Sequence, residues 1–174
     1  MQATRYVHTL SVLVENRPGV LTRCAGLFAR RGFNIDSLAV GTTEDPSKSR
    51  ITIRVDCSQH SVDQVIKQLY KLVDVLKVQE LGPTAVELEL LMVKVASSPE
   101  RRPEIISLAE VFDARVVDVG REAITFACVG QPDRLQALEE LLSPYGIKEL
   151  VRTGRIGLDR DGELGRRQRM RVVA

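Results

Sequence analysis

Positions 7 to 14 alternate with a period of two: His8, Leu10, Val12 and Val14 against Val7, Thr9, Ser11 and Leu13. Both sets are partly apolar, which predicts a central β-strand covered on both faces. The segment 15–19, Glu-Asn-Arg-Pro-Gly, breaks the pattern, and Pro18 suits the first turn of a helix. Val20, Leu21, Cys24, Leu27 and Phe28 then share one helical face, with Thr22, Arg23 and Arg30 turned away. Gly26 inside that helix costs ~1 kcal/mol against Ala and predicts close packing against a neighbouring backbone. Gly32 is the expected C-terminal stop.

A second strand is predicted over Asn34–Val40 and a turn over Gly41–Ser49, where Asp45-Pro46 sits. Ile51, Ile53 and Val55 alternate with Thr52, Arg54 and Asp56, a third strand with one wet face. Ser61 and Gln64 have capping-box spacing and open a helix with Val62, Val65, Ile66 and Leu69 inward. Val73–Leu81 is the fourth strand, and Gly82-Pro83 stops it.

Glu87–Ala96 starts a second round. A helix after Arg101-Arg102-Pro103 places Ile105, Leu108, Ala109 and Phe112 on one face. Strands follow at Arg115–Val119 and Ala123–Gly130, then a helix from Pro132 with Leu135, Leu138 and Leu142 inward, then a strand at Gly146–Thr153. The order βαββαβ therefore occurs twice. That is the split βαβ, or ferredoxin-like, arrangement, an α+β class with both helices on one face of each sheet. The expected division is 1–81, a linker over 82–86, a second ferredoxin-like domain over 87–158, and a basic tail over 159–174. Each sheet is left with a bare face and edges, so self-association is expected.

The 174 residues are 44% hydrophobic, enough for one medium core or two small ones. No apolar run reaches the length of a membrane span, and no secretory or transit signal precedes the first strand, so the expected compartment is the cytoplasm. Cys24, Cys57 and Cys128 are odd in number, lack metal or redox spacing, and each sits in an apolar pattern. They read as small buried hydrophobes. Arg152 to the end carries seven Arg against three acids, and Asp159, Asp161 and Glu163 mixed among them favour a solvated end over a docking surface.

Chemistry is sparse. No GxGxxG, GxxxxGK[ST] or HExxH occurs, His8 and His60 lie in a strand and at a helix start, and Asp36, Asp56, Asp113 and Asp118 are scattered. No catalytic or metal-binding set is expected. One segment resembles a site. Asn16 to Leu21 places Gly19 and a helix start together, where unpaired N–H groups could hold a carboxylate and the Asn16 carbonyl oxygen an ammonium. Val20 and Leu21 would supply apolar walls for an aliphatic amino acid. A plain turn and helix cap accounts for the same spacing, and on spacing alone more simply. Asn34 opens the second strand at the far end of the helix, so one chain cannot easily bring Asn16 and Asn34 to one small ligand. Two chains about a two-fold axis could.

The run HTLSVLVENRPGVLTRCAGLFARRGFNIDSLAVGTTEDPSKSRITI resembles the opening of the regulatory small subunits of acetohydroxyacid synthase, also called acetolactate synthase. The likeness continues through QVIKQLYKLVDVLKVQEL and, more loosely, through LMVKV, VVDV and VRTGRIGL. It implies an N-terminal ACT domain, a sensor of amino acids that dimerises, and a C-terminal domain of similar topology. It implies a chain that is not itself a catalyst but activates a catalytic subunit and confers feedback inhibition by valine bound between the ACT domains of a homodimer. Thiamine diphosphate, magnesium and FAD would belong to that catalytic partner; none is expected on this chain. The effector residues would be Asn16, Pro18, Gly19, Val20, Leu21 and Thr22, with Asn34 and Ile35 from the partner side. Arg17-Pro18 departs from the polar or small pair common in the family, which bears on affinity and effector choice.

A free-standing amino-acid-sensing ACT protein acting on another partner is the alternative. A nucleic-acid module on the same fold would need aromatic platforms, yet aromatics are 4% of the chain and Ile51–Val55 carries none. A small phosphatase using an Arg and an Asn has far shorter support. Neither nucleic acid nor membrane is expected as a partner.

Overall fold

The computed structural model describes residues 6–161. Two compact units divide the chain. The first runs to Val86 and takes the chain back from Arg155; the second is Glu87–Gly154. Residues 155–158, placed by pattern in the second domain, are counted with the first unit in this division. The predicted basic tail lies mostly outside the described residues.

The first unit contains β1 (Val7–Glu15), α1 (Val20–Arg31), β2 (Asn34–Thr42), β3 (Lys48–Asp56), α2 (Val62–Leu69) and β4 (Val75–Glu80). Its sheet runs β2-β3-β1-β4, all neighbours antiparallel. This is the expected ferredoxin-like order. Central β1 places Leu10, Val12 and Val14 under the helices, each almost fully buried, beside Ile51, Ile53 and Val55 of β3. Cys24, Leu27 and Phe28 of α1 and Val65, Ile66 and Leu69 of α2 close that core. Phe28 stacks edge-on against Phe33, ring centroids 5.7 Å apart.

Gly32 ends α1 in the left-handed region at φ 66°, and the Phe33 N–H donates to the Phe28 carbonyl at 3.0 Å, the six-to-one bond of a Schellman cap. Ser61 Oγ accepts from the Gln64 N–H and caps α2. The fourth strand begins at Val75 rather than Val73, which is 90% exposed. Gly26 meets no neighbouring backbone. A Cβ there would touch only the Arg30 guanidinium, at 3.3 Å, so the expected close packing does not occur within this chain. The third strand's polar face is not wet throughout, because Thr52 is buried, as are Ser11 and Thr9 on β1. Short hydroxyl side chains in the middle of a sheet are shielded by longer neighbours, and Arg50 reaches across to donate to Ser11 Oγ at 2.9 Å.

The second unit carries β5 (Val86–Ala96), α3 (Arg102–Glu110), β6 (Arg115–Val119), β7 (Ala123–Gly130), α4 (Pro132–Leu142) and β8 (Ile147–Arg152), and its strands run β6-β7-β5-β8. Leu91, Val93 and Val95 of β5 pack with Ile105, Ile124, Phe126, Leu135, Leu138 and Leu142. Of the predicted face Ile105 and Ala109 are fully buried and Leu108 half-buried, while Phe112 lies past the end of α3 and packs half-buried against the same core. A short strand absent from the sequence reading, β9 (Ile156–Leu158), lies in the segment that returns to the first unit.

Candidate functional site

β1 ends at Glu15, and the chain must turn sharply to enter α1. It does so through Arg17-Pro18-Gly19-Val20, closed by the Val20 N–H donating to the Arg17 carbonyl at 3.3 Å. Gly19 stands at φ 84°, ψ −8°. Proline second and a left-handed glycine third make this a type II turn. Pro18 therefore lies before the helix and not in its first turn. Pro-Gly is itself the signature of that turn, and the turn outweighed the helix-start preference of proline.

The turn delivers Gly19 as the helix N-cap, without a side-chain cap. Arg23 donates the first intrahelical bond to the Gly19 carbonyl at 2.9 Å. The N–H groups of Leu21 and Thr22, at the second and third helical positions, have no carbonyl within the helix to receive them. They add to the positive end of the helix dipole and make an anion cradle. Val20 is buried in the core, whereas Leu21, predicted inward, is 43% exposed. Leu21 sits just outside the buried arc of Val20, Cys24, Leu27 and Phe28, so it offers an apolar wall at the mouth of the cradle. Pro18 and Thr22 are exposed beside it.

Asn16 is tied to the β2–β3 turn. Its backbone N–H donates to the Ser47 carbonyl at 2.7 Å and its Nδ2 to the Pro46 carbonyl at 2.9 Å. With the amide nitrogen so engaged, the Oδ1 atom remains as an acceptor. Arg17 pairs with Glu15 at 3.2 Å on the surface, which balances its charge locally.

Arg23, expected to face away, braces the cradle. Its Nε donates to Asp74 at 2.8 Å and its Nη2 lies 2.7 Å from the same carboxylate, which is 9% exposed as a side chain. Its Nη1 lies 3.2 Å from where a Cβ on Gly19 would stand. No local pattern reveals a partner 51 positions away; the one available hint is an acid, Asp74, inside an apolar stretch.

The turn that holds Asn16 is built on Asp45. Its Oδ1 accepts from the Ser47 N–H and hydroxyl, and Lys48 Nζ lies 2.9 Å from Oδ2. The Ser47 hydroxyl, then Lys48, lower the Asp45 carboxyl to about 2. A depressed carboxyl contributes in full above its unfolded value of about 4 and loses that contribution as pH falls through the folded value. The amide signals of Ser47 and Asn16 follow the folded-state carboxyl, so they should stay fixed from neutrality to pH ~3 and then titrate with a midpoint near pH ~2. A midpoint near pH 4 in an acid titration by NMR would contradict this coupling.

Asn34 and Ile35 lie elsewhere. Asn34, exposed, pairs with Asp56, which pairs with Val7 at the opposite end of β1 from Asn16. Nine strand steps at about 3.3 Å put the two asparagines roughly 30 Å apart along the sheet. Ile35 is half-buried against the first core. Asn16, Pro18, Gly19, Leu21 and Thr22 thus lie exposed along the turn into α1, Val20 points into the core, and Asn34 and Ile35 do not join them.

The remaining reactive groups are quiet. Burial pushes the Cys24, Cys57 and Cys128 thiols up, which suits inert packing. His8 Nδ1 lies 2.7 Å from Glu80, and His60 packs edge-on against Phe33. No helix among the described residues is long and apolar enough to cross a membrane.

Comparison with known proteins finds relatives along both halves of the chain. Residues 10–77 match the acetohydroxyacid synthase small subunit-like ACT domain. Residues 88–161 match the small subunit of acetolactate synthase. A probable acetolactate synthase small subunit from Archaeoglobus fulgidus is 51% identical over 88% of this chain and 96% of its own length. The acetolactate synthase small subunit of Mycolicibacterium smegmatis is 46% identical over 88% of this chain and 91% of its own. The crystal structure of the acetolactate synthase small subunit from Thermotoga maritima superposes with a TM-score of 0.83 at 39% identity, covering 88% of this chain and 97% of that one.

Proposed function

This chain belongs to the acetolactate synthase small-subunit family, and from that premise we propose that it is a non-catalytic regulatory subunit. It activates a catalytic acetolactate synthase chain and makes that chain sensitive to valine. Thiamine diphosphate, magnesium and FAD reside on the catalytic partner. The observation that carries the effector reading is the type II turn with Gly19 at φ 84°, which opens α1 with two N–H groups free of helical partners.

Valine lies with its carboxylate on the Leu21 and Thr22 N–H groups and its ammonium on Asn16 Oδ1. Two charge-assisted hydrogen bonds of about 1.5–3 kcal/mol each anchor it, before the cost of ordering. Leu21 supports the aliphatic end. A second copy supplies Asn34 and Ile35, because one chain holds them too far away to help. The protein therefore works as a homodimer, and valine bridging the copies favours one arrangement over another. Coupling of about 1–3 kcal/mol is the usual scale for such a bias.

Calorimetric titration of the full chain with valine tests the reading, paired with reconstitution of the catalytic chain. Saturable binding and valine-dependent loss of the activated rate are expected. Absence of binding overturns it. Binding of valine without any effect on the reconstituted enzyme favours a free-standing sensor. Alanine lacks two carbons, worth ~0.8 kcal/mol each when buried, and should act about tenfold more weakly. Equal potency of alanine would contradict an apolar wall at Leu21.

A further inference from the structure

The sheet face of the first unit that lies away from its helices carries a cavity of about 310 Å³. Its floor is set by register. Leu13 of β1 stands directly between Arg50 of β3 and Lys77 of β4. One row on, Ser11 stands beside Gln79. The returning segment after residue 154 closes the rim with Leu158 and Asp159, and Leu81 completes the apolar lining.

The charges in this cavity are unbalanced. Asp159 is the one carboxylate among the described residues that line it; Gln79 Nε2 donates to its Oδ2 and the Gly82 N–H to its Oδ1 at 3.1 Å, which fixes it at the rim but leaves it charged, so against Arg50 and Lys77 the lining stays net positive. Arg50 spends one N–H on the neutral Ser11 hydroxyl and forms no ion pair among the described residues. Lys77 forms none there either, and it is exposed. Two cations thus converge over an apolar floor, neither of them ion-paired among the described residues. Directly opposed residues on adjacent strands have Cβ atoms about 5 Å apart, so both long side chains reach a single group above Leu13.

We infer that this cavity binds a small organic anion, its carboxylate or phosphate held between Arg50 and Lys77 and its aliphatic part against Leu13, Leu81 and Leu158. The guanidinium fork suits either oxyanion, and the volume fits a compact metabolite. The chain's own end is a poor occupant. Arg166, Arg167, Arg169 and Arg171 dominate residues 162–174, and like charges repel. The site is separate from the cradle at Gly19, because its residues face away from the helices.

The test is an NMR titration of the full chain with butyl phosphate, butyrate and inorganic phosphate as probes. The Ser11, Leu13, Gln79 and Leu81 amide signals should shift saturably with at least one of the two aliphatic anions, and the tighter of them names the headgroup. Inorganic phosphate, lacking the aliphatic part, should bind about tenfold or more weakly. Lys77→Gln should weaken binding about tenfold or more, the loss of one charge-assisted contact. Lys67→Gln, the same charge change on the exposed face of α2, should leave it unchanged. Arg50→Gln should also weaken it, and Lys77→Gln decides the matter if Arg50→Gln disturbs the sheet through Ser11. Asn16→Ala, whatever it does to valine, should leave the anion affinity intact, so the two sites fail separately. Absence of saturable shifts overturns the proposal, as does equal affinity in Lys77→Gln. Binding that occurs only after removal of residues 162–174 overturns it too, since the occupant is then the chain itself.

Discussion

Gly19→Asp should abolish the response to valine, while Gly19→Asn weakens it much less. Both substitutions put a side chain of the same shape where φ is 84° and where a Cβ meets Arg23 Nη1 at 3.2 Å. An L-residue in the left-handed region costs about 1–2 kcal/mol, with Asn and Asp the best tolerated. The strain is common to the pair, and the charge differs. The aspartate occupies the cradle that the ligand carboxylate needs, competes for the Leu21 and Thr22 N–H groups, and repels the ligand. Loss of two charge-assisted hydrogen bonds corresponds to about a hundredfold or more in affinity. The aspartate is also favoured by the helix dipole and by Arg23, so Gly19→Asp should be at least as stable as Gly19→Asn. Weaker binding in the more stable variant is a signature that unfolding cannot produce. Equal valine affinity in the two would place the carboxylate elsewhere.

Phe28→Ala should lower the stability of the first unit by about 3–5 kcal/mol, the scale for emptying an aromatic core position. Phe28 is 1% exposed, packs against Phe33, and offers its carbonyl to the cap that ends α1. Phe126, on β7, is the fully buried aromatic of the second core. Hydrogen exchange should show loss of protection in β1, β3 and β4 for Phe28→Ala, and in β5 and β7 for Phe126→Ala. Uniform loss across both units in either variant would show that the two cores do not stand separately.

Much of this was legible because the carriers are periodic and local. The alternation of β1, the i, i+4, i+7, i+8 spacing of Val20, Cys24, Leu27 and Phe28, and the stop at Gly32 together dictate a strand followed by a helix. Repeating that order dictates the topology. The exposure of Leu21 is not legible, because apolar character does not report whether a residue lies one step outside the buried arc. Proline suits both a helix start and the second position of a type II turn, and the left-handed Gly19 decides for the turn. The bonds that tie Asp159 and Arg160 to Gln79, Gly82 and Thr84 span more than seventy positions and leave no local trace in the sequence. The bracing of Gly19 by Arg23 and Asp74 is hidden for the same reason. The convergence of Arg50 and Lys77 depends on register, which alternation alone leaves open.

The central claim is that valine bridges two copies of the chain, with Asn16 and the Gly19 turn from one and Asn34 from the other. Calorimetry on a mixed dimer tests it most directly, one copy carrying Asn16→Ala and the other Asn34→Ala. In one of the two shared sites both substitutions fall together; in the other both native asparagines remain. The account predicts that the mixed dimer keeps half of the valine sites at wild-type affinity, while a dimer uniform in either substitution keeps none. If the uniform Asn34→Ala dimer binds valine as the wild type does, the site belongs to a single chain and the claim is wrong.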